Sequence, residues 1–132
     1  MFSLAKSQSV LGLVANAVLS DAEVANRIPA DVQKSLKAFV MSNMATHSAL
    51  NNTVVRVVAL LDDAGVQSVL LKGQGSARNY PVPELRQCGD IDLYVGEENY
   101  ARVHELLVPV ATEIDDVSCL LVSTSMYRWG RC

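Results

Sequence analysis

The segment Asp90-Ile91-Asp92-Leu93-Tyr94-Val95 alternates strictly, and that alternation limits what this chain can become. Side chains of an extended strand point to opposite faces at period two. Ile91, Leu93 and Val95 therefore share one face, and Asp90, Asp92 and Tyr94 share the other. The first face belongs in a core, while the second presents two carboxylates side by side. Upstream, the apolar run Val69-Leu70-Leu71 ends in Lys72-Gly73 and Gly75-Ser76. A polar connection broken by Pro81 and Pro83 joins the two runs. The pattern predicts two strands, with the acids of the second near the glycine turn that closes the first.

The chain has 132 residues, and one domain is the expectation. Half of the residues are hydrophobic and 19% are charged, which suits a packed core rather than disorder. The net charge is −3, and there is no basic stripe of the kind that follows a nucleic-acid backbone. Cys88, Cys119 and Cys132 are odd in number and lack C-x-x-C spacing, so neither a zinc site nor a disulfide framework is expected. A reduced, cytoplasmic setting fits them. The first residues carry no basic segment followed by a continuous apolar stretch, so no secretory signal is expected. No apolar run approaches the roughly 18 residues of a membrane span.

The first half reads as helix. Val10, Leu11, Leu13, Val14, Val18 and Leu19 make one stripe from about Ser7 to Leu19. Ser20, Asp21 and Glu23 begin a short further turn. Pro29 opens a long helix, since proline suits a first helical turn. From Asp31 to Ala64 there is neither Gly nor Pro, with Asn51-Asn52-Thr53 as the weak point that would divide the run. Gly65 is the expected C-cap. Plain packing accounts for this half, with no catalytic role required.

Val66 to Leu71 is the first strand and, being almost wholly apolar, an interior one. Ser76 to Tyr80 is a short helical turn ended by the prolines. Glu84 to Gly89 is an exposed loop carrying Arg86. Asp90 to Val95 is the second strand. Glu97 to Leu107 is a helix, with acidic residues at its positive end and Pro109 at its close. Val110 to Ile114 begins a third strand, and the pattern dissolves beyond Cys119. The predicted organisation is a helical region over 1–65 packing on the core, a core over 66–118 and an irregular tail over 119–132. The class is α/β (α+β), with a small mixed sheet and helices.

Two acids at i and i+2 on a strand stand about 6.5–7 Å apart. Magnesium prefers oxygen ligands at about 2.0–2.1 Å, and paired metals sit about 3.5–4 Å apart, so such acids can lean in and share them. Phosphate transfer consists mostly of positioning and charge neutralisation. Glycines let the backbone approach phosphate oxygens. Lys72 and Arg86 are candidates for further phosphate contacts.

These residues resemble the polymerase-β-like nucleotidyltransferase superfamily. Its pattern is an apolar strand, Gly-Gly or Gly-Ser, a gap, and a strand bearing Asp-x-Asp. Thirteen residues separate Ser76 from Asp90, near the long end of that gap. More closely, LLKG…LR…GDIDLYV is similar to an uncharacterised bacterial nucleotidyltransferase family with a Lys-Gly strand end, an Arg and a Gly-Asp-x-Asp strand. The long preceding helix and the AGVQSVLLKG junction also fit, and the resemblance covers about Asp31 to Val110. It implies a partial nucleotidyltransferase-fold core behind an all-helical N-terminal region. It implies that Asp90 and Asp92 are catalytic metal ligands for Mg²⁺. Gly73, or Gly75 with Ser76, takes the glycine position against the triphosphate, beside Lys72 and Arg86. The implied reaction moves a nucleotidyl group from a nucleoside triphosphate, ATP included, to a hydroxyl of an unknown acceptor.

The superfamily also brings a third carboxylate from a later strand. Glu113, Asp115 and Asp116 do not stand in an apolar-acid-apolar strand followed by His, and none is given that role. The expectation is a shortened or frame-shifted form, with foreign sequence after about Val117. The competing reading is a non-catalytic remnant that binds nucleotide or a protein partner. A calcium loop is excluded, because no third ligand and glycine follow Asp-x-Asp. A glycosyltransferase-type Asp-x-Asp would need a larger nucleotide-binding domain. Cys88 reads as inert, and His47 and His104 read as structural or surface residues.

Overall fold

A computed structural model describes residues 2–87 and 89–110, together with the backbone of Glu113–Ile114, Leu121–Ser123 and Tyr127–Arg128. The helices are α1 (Phe2–Ser7), α2 (Leu11–Ser20), α3 (Ala22–Asn26), α4 (Ala30–Asp63), α5 (Gln74–Ala77) and α6 (Tyr100–Leu107). The strands are β1 (Val69–Leu70), β2 (Asp92–Tyr94), β3 (Glu113–Ile114), β4 (Leu121–Ser123) and β5 (Tyr127–Arg128). Short 3-10 turns occupy Pro83–Leu85, Glu97–Asn99 and Val108–Val110. Helices dominate, so the expected α+β class is observed, but the strand pairings among the described residues are all antiparallel where a mixed sheet was expected. The chain divides into two units, Met1–Ala49 with Ala77–Cys88, and Leu50–Ser76 with Gly89–Cys132.

In the first unit, Ala5, Leu11, Ala15 and Leu36 form the buried centre, joined by half-buried Phe2, Val14, Phe39 and Val40. One helix was expected from about Ser7 to Leu19, but the chain breaks at Ser9, whose φ is 56°. The Ser9 amide donates to the Lys6 carbonyl at 3.1 Å and the Val10 amide to the Ala5 carbonyl at 2.9 Å. This is the Schellman closure, which wants glycine at the left-handed position. A serine there is strained, because its Cβ crowds the backbone. Ser9→Gly is expected to stabilise the chain by about 0.5–1 kcal/mol in urea denaturation, net of glycine's larger unfolded-state entropy.

The short helix expected after Ser20 is α3, and Asp21 Oδ1 caps it by accepting the Glu23 and Val24 amides at 2.9 and 3.1 Å. The weak point at Asn51-Asn52-Thr53 does not divide α4, which runs unbroken to Asp63. Glu84 to Gly89 was expected to be an exposed loop. Instead Pro83–Leu85 is a 3-10 turn with Leu85 buried. The turn lies against α2, where the absent side chain of Gly12 admits the Leu85 carbonyl.

In the second unit, Val57, Leu61, Val66, Ile91, Leu93, Val95, Val103 and Leu107 form one buried cluster. Each of the largest members contributes about 1.5–3 kcal/mol through apolar burial. Gly65, φ 71°, ends α4 as expected. Its amide donates to Asp62 at 2.8 Å, and the Val66 amide donates to Leu61 at 2.8 Å. Those last two residues also meet in the core, which is the apolar contact that accompanies this cap.

The order in the main sheet is β1-β2-β4. Val69 pairs with Tyr94 and Leu70 with Leu93, while Asp92, Leu93 and Tyr94 pair with Ser123, Val122 and Leu121. The expectation of an interior first strand is corrected, because among the described residues β1 lies at an edge of this sheet. Val69 and Leu71 are exposed, and the run buries Val66 instead. The strands are also shorter than the apolar runs that announced them. Beyond Cys119, where no period was visible, the backbone forms β4 and β5. The rest of that segment lies outside the described residues, as do Cys88, Asp115 and Asp116. Glu113 lies on β3, paired with β5 in a separate two-stranded sheet.

Candidate functional site

The end of β1 and the start of β2 come together through the backbone. The Leu71 amide donates to the Asp92 carbonyl at 3.0 Å, which extends the antiparallel register past Leu70. Two residues further along, Gly73 stands against Asp90. A Cβ on Gly73 would lie 2.9 Å from the Asp90 carbonyl oxygen, and its φ is 67°. Glycine is therefore required here both for the left-handed turn and for the close approach. Gly75 has an ordinary φ and sits against Leu70, whose carbonyl oxygen would be 3.2 Å from an added Cβ.

The turn continues directly into α5. The short helix was expected over Ser76 to Tyr80, yet it begins at Gln74 and ends at Ala77. Gln74 is buried and its Nε2 donates to Asn51 Oδ1 at 2.8 Å, which ties the turn to α4. That anchor shifts the helix start towards Gly73. Ser76 is half-buried.

The alternation of β2 is realised as read. Ile91, Leu93 and Val95 are buried in the core, and Tyr94 on the other face is exposed. Asp92 departs from simple alternation, being 3% exposed although it lies on the face away from that core. Lys72 Nζ lies 3.0 Å from Asp92 Oδ2, with the Asp92 side chain 5% and the Lys72 side chain 67% exposed. The two form an ion pair, while Oδ2 receives no well-aligned hydrogen bond among the described residues. A buried carboxylate without a counter-charge would be strongly disfavoured, so this contact accounts for Asp92 remaining where it is.

The lysine pKa is raised above its ordinary value, first by the short polar contact with Asp92, then by the charge of Asp92 and of Asp90, against slight desolvation. A raised lysine value means the contact contributes fully at neutral pH and is lost only as pH rises beyond about 10.4. Lys72, Gly73, Asp90 and Asp92 are thus brought together, and both acids act on one ammonium group.

Arg86, the remaining candidate, belongs to the first unit. Its amide donates to the Pro83 carbonyl at 3.1 Å. Asn43 Nδ2 donates to the Glu84 carbonyl at 2.6 Å and reaches the Arg86 carbonyl at 3.5 Å. Gln87 Oε1 accepts the Leu11 amide at 3.0 Å, at the start of α2 where Val10 gives no side-chain cap. Asn43, Gln87, Gln74 and Asn51 were not singled out from sequence. Isolated amides carry no periodic signal, and their partners are distant in the chain. His47 is buried in α4, in keeping with a structural role.

The donor set at Asp90 and Asp92 consists of hard oxygens, which suit Mg²⁺ or Mn²⁺. Among the described residues no third His, Cys, Asp or Glu joins them. Magnesium commonly takes one or two carboxylates and fills its other positions with water and phosphate oxygens, so the pair fits it. The buried Oδ2 of Asp92, met by a cation and, among the described residues, by no aligned donor, is the atom that fits best. No helix among the described residues is long and apolar enough to cross a membrane.

No curated protein and no solved structure matches this chain. The model of a family described as uncharacterised nucleotidyltransferase matches residues 1–116, which takes in Lys72, Gly73, Gly75, Ser76, Arg86, Asp90 and Asp92. The chain belongs to that family of nucleotidyltransferases.

Proposed function

We propose that this protein transfers a nucleotidyl group from a nucleoside triphosphate to a hydroxyl of an acceptor, with Mg²⁺ held by Asp90 and Asp92. Family membership supplies the coarse part, which is nucleotidyl transfer with a nucleotide substrate and a divalent metal. The observation that carries the finer part is the buried Asp92 carboxylate, 3.0 Å from Lys72 at a strand end whose glycine turn abuts Asp90.

Bound there, Mg²⁺ supplies Lewis-acid neutralisation of phosphate charge. Asp90 and Asp92 orient through a strand whose other face is locked in the core. Gly73 and Gly75 carry the strand end into the turn beside the acids, and we assign that turn, with the hydroxyl of Ser76, to the phosphates. Lys72 neutralises triphosphate charge as a point donor. We place the protein in a reducing, cytoplasmic setting, from its unpaired cysteine spacing. Nothing in this reading calls on a membrane or on nucleic acid.

The test is label transfer and pyrophosphate release with each nucleoside triphosphate and Mg²⁺, alongside a separate measurement of nucleotide binding. Mg²⁺-dependent release that falls at least about a hundredfold in Asp90→Asn is the expected result. Binding without turnover would give the chain a non-catalytic, nucleotide-holding role. Neither binding nor turnover would sink both readings.

A further inference from the structure

We infer that Lys72 is a positioning residue that stands in for the metal on Asp92. Its ammonium holds the carboxylate while no divalent cation is bound, leaves when one arrives, and is then free to meet the triphosphate. The inference rests on the metal reading of Asp90 and Asp92 given above.

The contact is asymmetric. The Asp92 side chain is almost wholly enclosed and Leu71 fixes its backbone, whereas two-thirds of the Lys72 side chain lies in water. The acid therefore stays and the lysine moves. Lys72 also feels the charge of Asp90. Asp92 Oδ2, which meets that ammonium at 3.0 Å, is at the same time a buried oxygen that lacks an aligned hydrogen bond among the described residues.

A dication binding both acids must displace the lysine, at the cost of the attraction between Lys72 and Asp92. Even in a water-like dielectric, two unit charges about 4 Å apart shift an equilibrium about fivefold. Lysine is a flexible four-carbon stem ending in a point charge, so it can swing out without unfolding the strand end. Metal binding and nucleotide binding are then positively coupled. The metal frees the lysine, the lysine favours the phosphates, and by reciprocity nucleotide tightens the metal.

Mn²⁺ titrated into the full-length chain without nucleotide, followed by electron paramagnetic resonance, tests this. Lys72→Met is expected to bind Mn²⁺ about fivefold more tightly than the wild type. Lys72→Arg, which keeps a cation, is expected to bind no more tightly than the wild type. Adding a non-hydrolysable nucleoside triphosphate should tighten Mn²⁺ binding more in the wild type than in Lys72→Met. Equal or weaker Mn²⁺ binding by Lys72→Met overturns the inference, provided Asp92→Asn abolishes binding in the wild-type background. If Asp92→Asn leaves binding unchanged, the metal reading itself is what has failed.

Should Lys72→Met not fold, the wild type answers alone. Acetylation of Lys72 by acetic anhydride, read by mass spectrometry against exposed Lys37, should quicken at least about threefold in saturating Mn²⁺, because the amine is then no longer held in the ion pair with Asp92. Unchanged or slower acetylation overturns the inference.

Discussion

Asp92→Asn is expected to lower Mg²⁺-dependent nucleotidyl transfer by about a thousandfold while the chain stays folded. Asparagine has nearly the volume of aspartate, so Ile91 and Leu93 keep their places in the core. What disappears is the charge that a divalent cation needs, and removing one electrostatic contact of this kind commonly lowers turnover by about 10²–10³-fold. Lys72 loses its partner, but it is mostly solvated and relaxes into water. Removing a buried charge also relieves desolvation, so thermal stability is expected to hold or rise. Circular dichroism melts and pyrophosphate release on the same preparation check both halves. Activity within tenfold of the wild type would remove Asp92 from the site.

Gly12→Ala is expected to destabilise the first unit by about 3 kcal/mol, lowering its melting temperature by about 10 °C. An added Cβ would lie 2.2 Å from the Leu85 carbonyl oxygen, and the obstructing atom is backbone, which cannot rotate aside. Relief requires the Pro83–Leu85 turn to move away from α2. That movement breaks the Asn43 and Gln87 bonds and lets water reach Leu85. Two other glycines separate this packing effect from backbone freedom. Gly65 has open space around its Cβ position but a φ of 71°, so Gly65→Ala should cost only about 1 kcal/mol. Gly89 has open space and no positive φ, so Gly89→Ala should change stability by less than about 0.5 kcal/mol. If all three lose similar stability, the close approach at Gly12 is not the cause.

Local physics was legible in the sequence wherever it governs. The alternation from Asp90 to Val95 has one buried and one polar-bearing side for covalent reasons, and β2 follows it. A run without Gly or Pro propagates as helix, and α4 does so even across Asn51-Asn52-Thr53. Gly65 ends it because a left-handed residue is needed there. The Lys-Gly strand end and the Asp-x-Asp strand pointed to the right family from a handful of positions.

Tertiary structure decided what depends on residues distant in the chain. That α1 and α2 are separate helices rests on a strained Ser9, a position that amino-acid type alone argues against. That β1 is an edge strand among the described residues could not be read from its apolar composition, since Val69 and Leu71 are exposed all the same. The 83–87 segment is docked because Gly12, Leu11 and Asn43 receive it, and nothing in its own residues announces that. The pairing of Lys72 with Asp92 exists only once an antiparallel register brings the end of one strand beside the start of the next. Periodicity and propensity act within a few residues of each other. A charge contact, a close backbone approach or a sheet edge is a relation between segments, and only the folded chain creates it.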